Sequence, residues 1–382
     1  MRELEYPFDS EYILKKSKSI KKQLLAEDAC KAESTKKTQR LHKKIAVLGG
    51  STTHDIIRIL ELFLLDVGIE PEFYESEYDQ CYQDAVFGNE ELDNFAPDLI
   101  YIHTSMRKIK SFPTLDMSIE QVEKSAAGEY DRYLDMWEHL SVKFSAPIIQ
   151  NNFEYPFYRI MGNRDAVDIH GRISYVDRLN RKFYEYADTH KNFFINDINY
   201  AASCYGLDKW ADPGYWHMYK YCMCMQAIPS FAFNLSHIIK AVFGKNKKAL
   251  ALDLDNTLWG GVVGDDGPEN LEIGQETSIG QVYSEFQNYI KSEKDVGVVL
   301  TVDSKNDPEN ALAGLNHPAG TLRPEDFVEI KANWEPKSDN LSQLASDMSL
   351  TPDSFVFVDD NPAEREIIRQ QVPGAAVPEI GQ

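Results

Sequence analysis

The 382-residue sequence lacks several features that would place it in specialised protein classes. It contains no apolar run of about 18 residues, which excludes a recognisable membrane span. Its first residues, MRELEYPFDSEYILKKSKSIKK, lack the apolar core of a signal peptide. Its five cysteines are scattered, with neither disulfide nor zinc spacing, as is typical of a reducing cytoplasm. We therefore expect a cytoplasmic globular protein.

The charge of the chain is negative and unevenly distributed. The net charge is −21, and residues 249–382 contain eight Lys and Arg against 25 Asp and Glu. Such an acidic segment disfavours nucleic acid as a partner, because phosphate backbones need neutralising cations. The same charge suits a site that concentrates a divalent metal ion.

The order of apolar runs predicts two α/β domains after a short arm. Residues 1–42 are Lys-rich, with Asp9 or Ser10 as the expected cap of a helix. Strands alternate with helices through 43–245 and again through 246–382, as in parallel sheets. The predicted domains are therefore 1–42, 43–245 and 246–382.

Four polar segments in the last third follow predicted strands or begin a predicted helix. Asp253 and Asp255 follow the strand ALALDL, and Asp359-Asp360 follows SFVFV. Ser304 ends VGVVLTVDS, and Lys337 begins a helix. In open α/β sheets, ligands bind at the carboxyl ends of the strands. One aspartate can attack phosphorus while its neighbour protonates the leaving oxygen, and Mg²⁺ can relieve the repulsion between carboxylates.

Each segment also has a simpler interpretation when it is taken alone. Asp-x-Asp often marks a turn, Asp-Asp-Asn-Pro can cap a helix, and a single Lys is usually solvated. The arrangement of all four at strand ends and a helix start favours phosphoryl chemistry.

The pattern resembles the haloacid dehalogenase (HAD) superfamily, whose first motif, Asp-x-Asp-x-Thr, is matched by 253–257. The resemblance implies Asp253 as nucleophile and Asp255 as general acid/base. Ser304 matches the second motif, with Thr301 as an alternative, and Lys337 the third, with Lys331 as an alternative. The predicted catalytic residues are Asp253, Asp255 and Lys337; the predicted phosphate contacts are Leu254, Asn256, Thr257, Ser304, Lys305 and Lys337; the predicted Mg²⁺ ligands are Asp253, Asp255, Asp359 and Asp360.

Four segments further resemble the FkbH-like group of that superfamily: 253–267, 304–307, 333–337 and 357–366. The resemblance implies an aspartyl-phosphate intermediate, a phosphorylated small molecule or carrier-bound substrate, and an acyl carrier protein as partner. It also implies glyceryl transfer from a phosphoglycerate, bacterial polyketide or polysaccharide assembly, and a further C-terminal domain in a longer protein. Transfer needs a thiol, but residues 249–382 contain no cysteine and Asp303 stands where one is expected. This departure favours hydrolysis.

The expected fold class is α/β, with two Rossmann-like three-layer α/β/α domains and mainly parallel sheets. The C-terminal domain is expected to be HAD-like without a large cap, because few residues separate Thr257 from the next helix. A non-catalytic module that binds a carrier or partner is the alternative from another functional class.

The N-terminal domain weakly resembles SGNH-type esterases around Gly49-Gly50-Ser51. In that interpretation Ser51 is the nucleophile, Asn151 or Asn152 an oxyanion donor, and Asp212 and His217 complete a triad. Anion binding at the helix start, or an ordinary turn with a Ser cap, are the other interpretations. His54, His103 and His170 are expected to be packing or surface groups.

Overall fold

The structure is a computed structural model that describes residues 1–32 and 40–380. The chain divides into two compact units, Met1–Gly244 and Lys245–Gln382. None of the helices in the described ranges is long and apolar enough to cross a membrane.

The N-terminal unit is built on a five-stranded parallel sheet with the order β2-β1-β3-β4-β5. Its strands are β1 (Leu41–Gly49), β2 (Ile69–Glu75), β3 (Leu99–His103), β4 (Ile148–Asn151) and β5 (Phe193–Asn196). Its helices are α1 (Ser10–Ala32), α2 (His54–Asp66), α3 (Cys81–Val86), α4 (Glu90–Phe95), α5 (Ile119–Phe144), α6 (Arg172–Thr189), α7 (Ile198–Tyr205), α8 (Leu207–Trp210), α9 (Pro213–Tyr219) and α10 (Ile228–Val242).

Alternate residues of β1 pack into different cores, which explains its nearly continuous apolar sequence. Ile45 and Val47 join the core formed with α2 and α10, whereas Ala46 and Leu48 join the core formed with α5 and α6. A strand covered on both faces needs apolar side chains at every position. The unit is therefore a three-layer α/β/α fold, as expected.

The N-terminal residues are part of this unit rather than a separate arm. Asp9 caps α1 by accepting hydrogen bonds from the N–H groups of Glu11 and Tyr12. Ile13 and Ile20 of α1 are buried in the core with α2 and α10. The boundary expected at 42/43 falls inside β1, which begins at Leu41 and pairs there with β2.

The C-terminal unit is a second three-layer fold around a four-stranded parallel sheet with the order β8-β7-β6-β9. Its strands are β6 (Ala249–Leu252), β7 (Val299–Ser304), β8 (Glu329–Ala332) and β9 (Phe355–Val358). Its helices are α11 (Val263–Asp266), α12 (Ser278–Asp295), α13 (Pro308–Leu315), α14 (Lys337–Asp347) and α15 (Pro362–Gln371).

Central strand β6 again divides its side chains between two cores. Ala249 and Ala251 pack with α14 and α15, whereas Leu252 packs with the core on the other face. Between β6 and α12 the chain forms α11, a 3₁₀ turn and two isolated bridges, Asp255–Trp259 and Gly260–Glu272. This described stretch contains no cap domain, which confirms the expected fold class.

Candidate active site

The carboxyl ends of β6, β7 and β9 and the start of α14 meet at one pocket. Its volume is about 410 Å³. The lining residues are Asp253, Asp255, Asn256, Ser304, Lys305, Lys337, Asp360, Asn361, Pro362 and Glu364. The structure thus brings together the four polar segments that the sequence placed at strand ends and a helix start.

Lys337 is a buried cation that joins two of the acidic segments. Its side chain is 3% exposed, and its Nζ lies 2.6 Å from Asp359 Oδ2 and 3.0 Å from Asp253 Oδ2. Burial alone would lower the pKa of Lys337, but these carboxylates outweigh it and raise that pKa. Lys337 therefore keeps its positive charge at neutral pH. The alternative, Lys331, pairs with Glu329 and Asp347 and does not line the pocket.

Asp255 is held by three hydrogen-bond donors. Its Oδ1 accepts from Trp259 Nε1 at 2.9 Å and from the Val263 N–H at 3.0 Å. Its Oδ2 accepts from Asn306 Nδ2 at 2.8 Å. Burial raises the pKa of Asp255 against the lowering effect of these donors, and the charge of Asp253 raises it further. This carboxyl group is fixed in position and favours the protonated form more than an exposed aspartate does.

A tight turn after β6 makes this arrangement possible. Asn256 adopts the left-handed conformation at φ 55°, and its Oδ1 accepts a hydrogen bond from the Gly261 N–H. Asparagine tolerates this conformation better than most residues. The turn brings Trp259 back over Asp255, and the contacts of Trp259 and Asn306 with Asp255 were not predicted from the sequence.

Three carboxylates form a group suited to a divalent cation. Asp253, Asp359 and Asp360 each offer an oxygen, and these oxygens lie within 4.8 Å of one another. Hard oxygen donors of this kind fit Mg²⁺. The carboxylate of Asp255, also expected as a ligand, lies outside this group. It accepts the three hydrogen bonds described above. The residues present therefore fit a metal ion at Asp253, Asp359 and Asp360.

The loop that carries Asp359 and Asp360 is fixed by neighbouring side chains. Arg365 Nη1 donates to the carbonyl oxygens of both residues at 2.7 Å. The Asp360 N–H donates to Thr257 Oγ1 at 3.2 Å, so the threonine of the first motif ties two strand ends together. Burial and the nearby Asp253 raise the pKa of Asp360. The predicted phosphate contact Thr257 therefore has a structural role at this site.

The remaining predicted phosphate contacts differ in their surroundings. Ser304 is buried and lines the pocket, whereas the alternative, Thr301, donates to the Leu250 carbonyl inside the sheet. Lys305 pairs with Glu364 at 2.6 Å beside the pocket. Leu254 is buried, and its carbonyl oxygen accepts from the N–H groups of the following turn.

Asp303 is a buried acid beside this site. Its Oδ1 accepts from Asn340 Nδ2 at 3.1 Å, and its Oδ2 has no hydrogen-bond partner among the described residues. Burial raises the pKa of Asp303 to about 8, although Asn340 and the charge of Lys337 act in the opposite direction. Asp303 is therefore mainly protonated at neutral pH.

The four predicted residues of the N-terminal site are not joined by hydrogen bonds within the described ranges. Asp212 caps α9 by accepting from the Gly214 and Tyr215 N–H groups, and His217 is exposed. Asn152 donates to Tyr184 and Asp197. Ser51 is buried, and its side chain forms no hydrogen bond that caps α2.

Ser51 instead adjoins a buried pair that the sequence did not predict. His103 Nε2 lies 3.2 Å from Cys222 Sγ, and its Nδ1 lies 2.7 Å from the Tyr101 hydroxyl and 3.0 Å from Asn151 Nδ2. Burial lowers the pKa of His103 to about 3 and raises that of Cys222 to about 12. Both groups are neutral at pH 7 and give Ser51 no charged partner. His103 is a packing group, as expected, but a polar one.

The fold and the motif positions of the C-terminal unit are those of the HAD superfamily. Residues 44–240 match the family described as FkbH, N-terminal domain, and the chain belongs to that family. A similar solved structure is the N-terminal part of BF1531 from Bacteroides fragilis, described as containing a phosphatase domain and complexed with Mg. Its sequence is 28% identical to this chain. It matches with a TM-score of 0.82 over 96% of this chain and 94% of that chain.

Other solved structures are similar over part of the chain. A GDSL-like lipase from Bacteroides thetaiotaomicron is 16% identical, with a TM-score of 0.32 over 58% of this chain and 97% of its own. The C-terminal catalytic domain of peptidoglycan O-acetyltransferase A from Streptococcus pneumoniae is 13% identical, with a TM-score of 0.30 over 54% of this chain and 94% of its own. Scores this low carry no conclusion about activity. No curated protein matches the sequence.

Proposed function

We propose that the chain is a Mg²⁺-dependent phosphohydrolase that acts through an aspartyl-phosphate at Asp253. The observation that carries the proposal is the position of Asp253, which lies 3.0 Å from the buried Lys337 ammonium in a pocket shared with Asp255 and Asp360. The Mg complex of the similar Bacteroides fragilis phosphatase-domain structure supports it.

The proposed reaction has two displacements at phosphorus. An oxygen of Asp253 attacks phosphorus and forms the aspartyl-phosphate, while the bond from phosphorus to the leaving oxygen breaks. Protonated Asp255 gives its proton to that oxygen. Water then attacks phosphorus, Asp255 takes a proton from it, and the bond to Asp253 breaks with release of phosphate.

The other residues of the pocket position and neutralise the phosphate. Lys337 places a positive charge beside the attacking carboxylate, and the Ser304 hydroxyl can donate to a phosphate oxygen. Asp253, Asp359 and Asp360 would hold Mg²⁺, with Asp360 as the preferred direct ligand because it is the most exposed of the three. When bound, Mg²⁺ supplies positive charge that offsets the phosphate and the crowded carboxylates.

The proposed substrate is a phosphorylated small molecule or a phosphorylated group on a carrier, with an acyl carrier protein as a proposed partner. Hydrolysis is favoured over group transfer because the C-terminal unit contains no cysteine to accept an acyl group. Glyceryl transfer from a phosphoglycerate remains a separate prediction.

Hydrolysis of p-nitrophenyl phosphate with and without Mg²⁺ tests the proposal. Asp253→Asn should lower kcat by at least about 10³-fold, because it removes the nucleophile. Asp360→Asn should raise the Mg²⁺ concentration for half-maximal activity by roughly 10–100-fold. Asp295→Asn, a change at an exposed position at the end of α12, is the matched control and should behave as wild type.

The assay also separates the enzyme from a non-catalytic binding module. Wild-type protein that hydrolyses no ester, and binds neither Mg²⁺ nor a phosphate analogue such as beryllofluoride, would remove the proposal. Binding of both without hydrolysis of a panel of phosphorylated sugars, glycerates and carrier proteins would favour the non-catalytic module.

A further inference from the structure

A second pocket, of about 410 Å³, lies in the N-terminal unit, away from the residues considered above for catalysis. It is formed by the start of α3, the loop after β3, and α5. Its lining residues are Asp79, Cys81, Tyr82, Gln83, Thr104, Arg107, Lys108, Ile109, Lys110, Arg132, Tyr133 and Met136. We call it the cationic pocket. Its lining includes neither Ser51 nor Cys222, although Arg107 is close enough to Cys222 to interact with it electrostatically.

The charge of this pocket is opposite to that of the protein. Four basic side chains and one carboxylate line it, whereas the whole chain carries a net charge of −21. Two of the cations are neutralised locally: Lys108 pairs with Asp79, and Arg132 pairs with Glu129 at 2.6 Å. Arg107 and Lys110 form no ion pair with any carboxylate in the described ranges. The buried carboxyl group of Glu154 acts electrostatically on Arg107, but burial raises the pKa of Glu154 to about 7, so it offsets that charge only in part. The pocket therefore keeps an excess of positive charge.

The arginines of the pocket also have unused hydrogen-bond donors. Nε of Arg107 and Nε of Arg132 are buried, and neither has a hydrogen-bond partner among the described residues. The Arg107 guanidinium lies 5.0 Å from the ring of Phe157 and 4.9 Å from that of Trp216, and these aromatic rings restrict its position. These Nε atoms are covered by protein, so the guanidinium groups are not fully satisfied, and an anion in the pocket would contact their outer nitrogens rather than Nε.

The rest of the wall combines the polar residues Gln83 and Thr104 with apolar and aromatic ones. Cys81, Ile109, Tyr133 and Met136 are buried residues of this lining. A volume of about 410 Å³ lies within the usual range for small-molecule sites, in which a few polar groups orient a mainly apolar ligand. A ligand for this pocket therefore needs an anionic group and a small apolar part.

We propose that the cationic pocket binds a small organic phosphate, with its dianionic group at Arg107 and Lys110 and its apolar part against Tyr133 and Met136. Guanidinium groups favour phosphate because they form paired, charge-assisted hydrogen bonds with its oxygens. This binding needs no metal ion, which distinguishes it from the proposed hydrolysis at the C-terminal pocket.

Isothermal titration of the full chain with phenylphosphonate, in EDTA at fixed ionic strength, tests this inference. Phenylphosphonate carries a dianion and an apolar ring and contains no ester to hydrolyse. Without metal, the carboxylates of the C-terminal pocket repel dianions. We expect one molecule bound per chain, with inorganic phosphate competing more weakly because it lacks the ring.

Three variants locate the binding site. Lys110→Gln changes an exposed side chain and should weaken binding by about tenfold, the loss of one charge-assisted contact. Arg107→Gln should weaken it further. Lys124→Gln removes an exposed charge on α5 outside the pocket and should leave the Kd within about twofold. Far-ultraviolet circular dichroism checks that each variant is folded.

Three outcomes would overturn the inference. The first is no binding of either probe at millimolar concentration. The second is equal weakening by Lys124→Gln and Lys110→Gln, which would indicate diffuse attraction to surface charge. The third is binding that survives Lys110→Gln but is lost in Lys337→Met, which removes the buried cation of the C-terminal pocket and would place the anion there. None of these outcomes bears on Mg²⁺-dependent hydrolysis, which is measured separately.

Discussion

Replacing Lys337 by Met tests the electrostatic design of the C-terminal pocket most directly. The substitution keeps the unbranched side chain and similar volume but removes the charge. In the wild type, Nζ lies 2.6 Å from Asp359 and 3.0 Å from Asp253, and the side chain is only 3% exposed. The variant therefore leaves two buried carboxylates next to each other without their shared cation.

The expected loss has two separable parts. Removing one partner of a buried ion pair costs about 3–5 kcal/mol of folding stability, because the remaining charge stays desolvated. Removing a positive group aimed at the reacting phosphate costs about 10²–10³-fold in kcat. Both losses should appear in the same variant, but the first is measured without metal or substrate.

The sign of the pH dependence follows from the carboxylates. Burial and the neighbouring Asp253 raise the pKa of Asp359 even when Lys337 is present, and without Lys337 that pKa must rise further. An acid whose pKa is higher in the folded state loses stability as the pH rises towards its folded pKa. The loss of folding stability in Lys337→Met, relative to the wild type, should therefore be larger at about pH 8 than at about pH 5.

Urea unfolding in EDTA at the two pH values measures the stability, and p-nitrophenyl phosphate turnover with Mg²⁺ measures the activity. Lys331→Met is the control, because Lys331 is a partly exposed lysine paired with Glu329 and Asp347 outside the pocket. It should change stability by no more than about 1 kcal/mol. The reasoning would be refuted if Lys337→Met lost the same folding stability at both pH values, or lost no more stability than the control.

Three further predictions concern neighbouring positions. Asn306→Ala should lower kcat by roughly 10–100-fold with a small change in KM, because Asp255 loses the donor that orients it; steady-state kinetics measures both. Asp303→Asn, which mimics the protonated acid, should stabilise the protein more at about pH 8 than at about pH 5 in urea unfolding, because the folded-state pKa of Asp303 is about 8. Gly314→Ala should destabilise by about 1–3 kcal/mol in thermal unfolding, because its Cβ would lie 2.6 Å from the indole that donates to Asp255.

Each of these predictions has a result that contradicts it. Asn306→Asp retains the shape of the side chain but not the donor. If it loses as much kcat as Asn306→Ala, the amide orients Asp255. If Asn306→Ala keeps the wild-type kcat, that role is excluded. If the gain in folding stability from Asp303→Asn does not depend on pH, Asp303 does not titrate between about pH 5 and pH 8. Gly128→Ala is the control for Gly314, because no atom lies within 4 Å of its added Cβ. It should stabilise helix α5 slightly, and destabilisation by both changes would indicate a general effect.

The sequence predicts the strands of the active site well because they are apolar on both faces. β6, β7 and β9 each appear as short apolar runs followed by polar residues. β5 and β8, the edge strands of their sheets opposite β2 and β9, were not predicted. In β8, Glu329 and Lys331 interrupt the apolar pattern and three of the four residues are only partly buried.

The contacts around Asp255 and Ser51 depend on tertiary folding and could not be read from spacing. Trp259 reaches Asp255 only because Asn256 turns the chain in the left-handed conformation. His103 and Cys222 are 119 residues apart and meet through the order of strands and helices. Sequence reasoning therefore identified the reactive groups of the C-terminal pocket but not the groups that orient them.

The two sheet edges handle buried polar groups in opposite ways. At the carboxyl ends of the strands in the N-terminal unit, burial keeps His103 and Cys222 neutral. This pair therefore needs no ligand to balance its charge. In the C-terminal sheet, Asp253, Asp359 and Asp360 lie together at the carboxyl ends of the strands. Lys337 pairs with the first two, and burial raises the pKa of both Asp359 and Asp360. Lys337 neutralises only part of this charge, so the fold holds carboxylates together at a cost that a bound cation would remove. Excess negative charge at the second edge, and its absence at the first, is the physical reason to place metal-dependent chemistry at Asp253 rather than at Ser51.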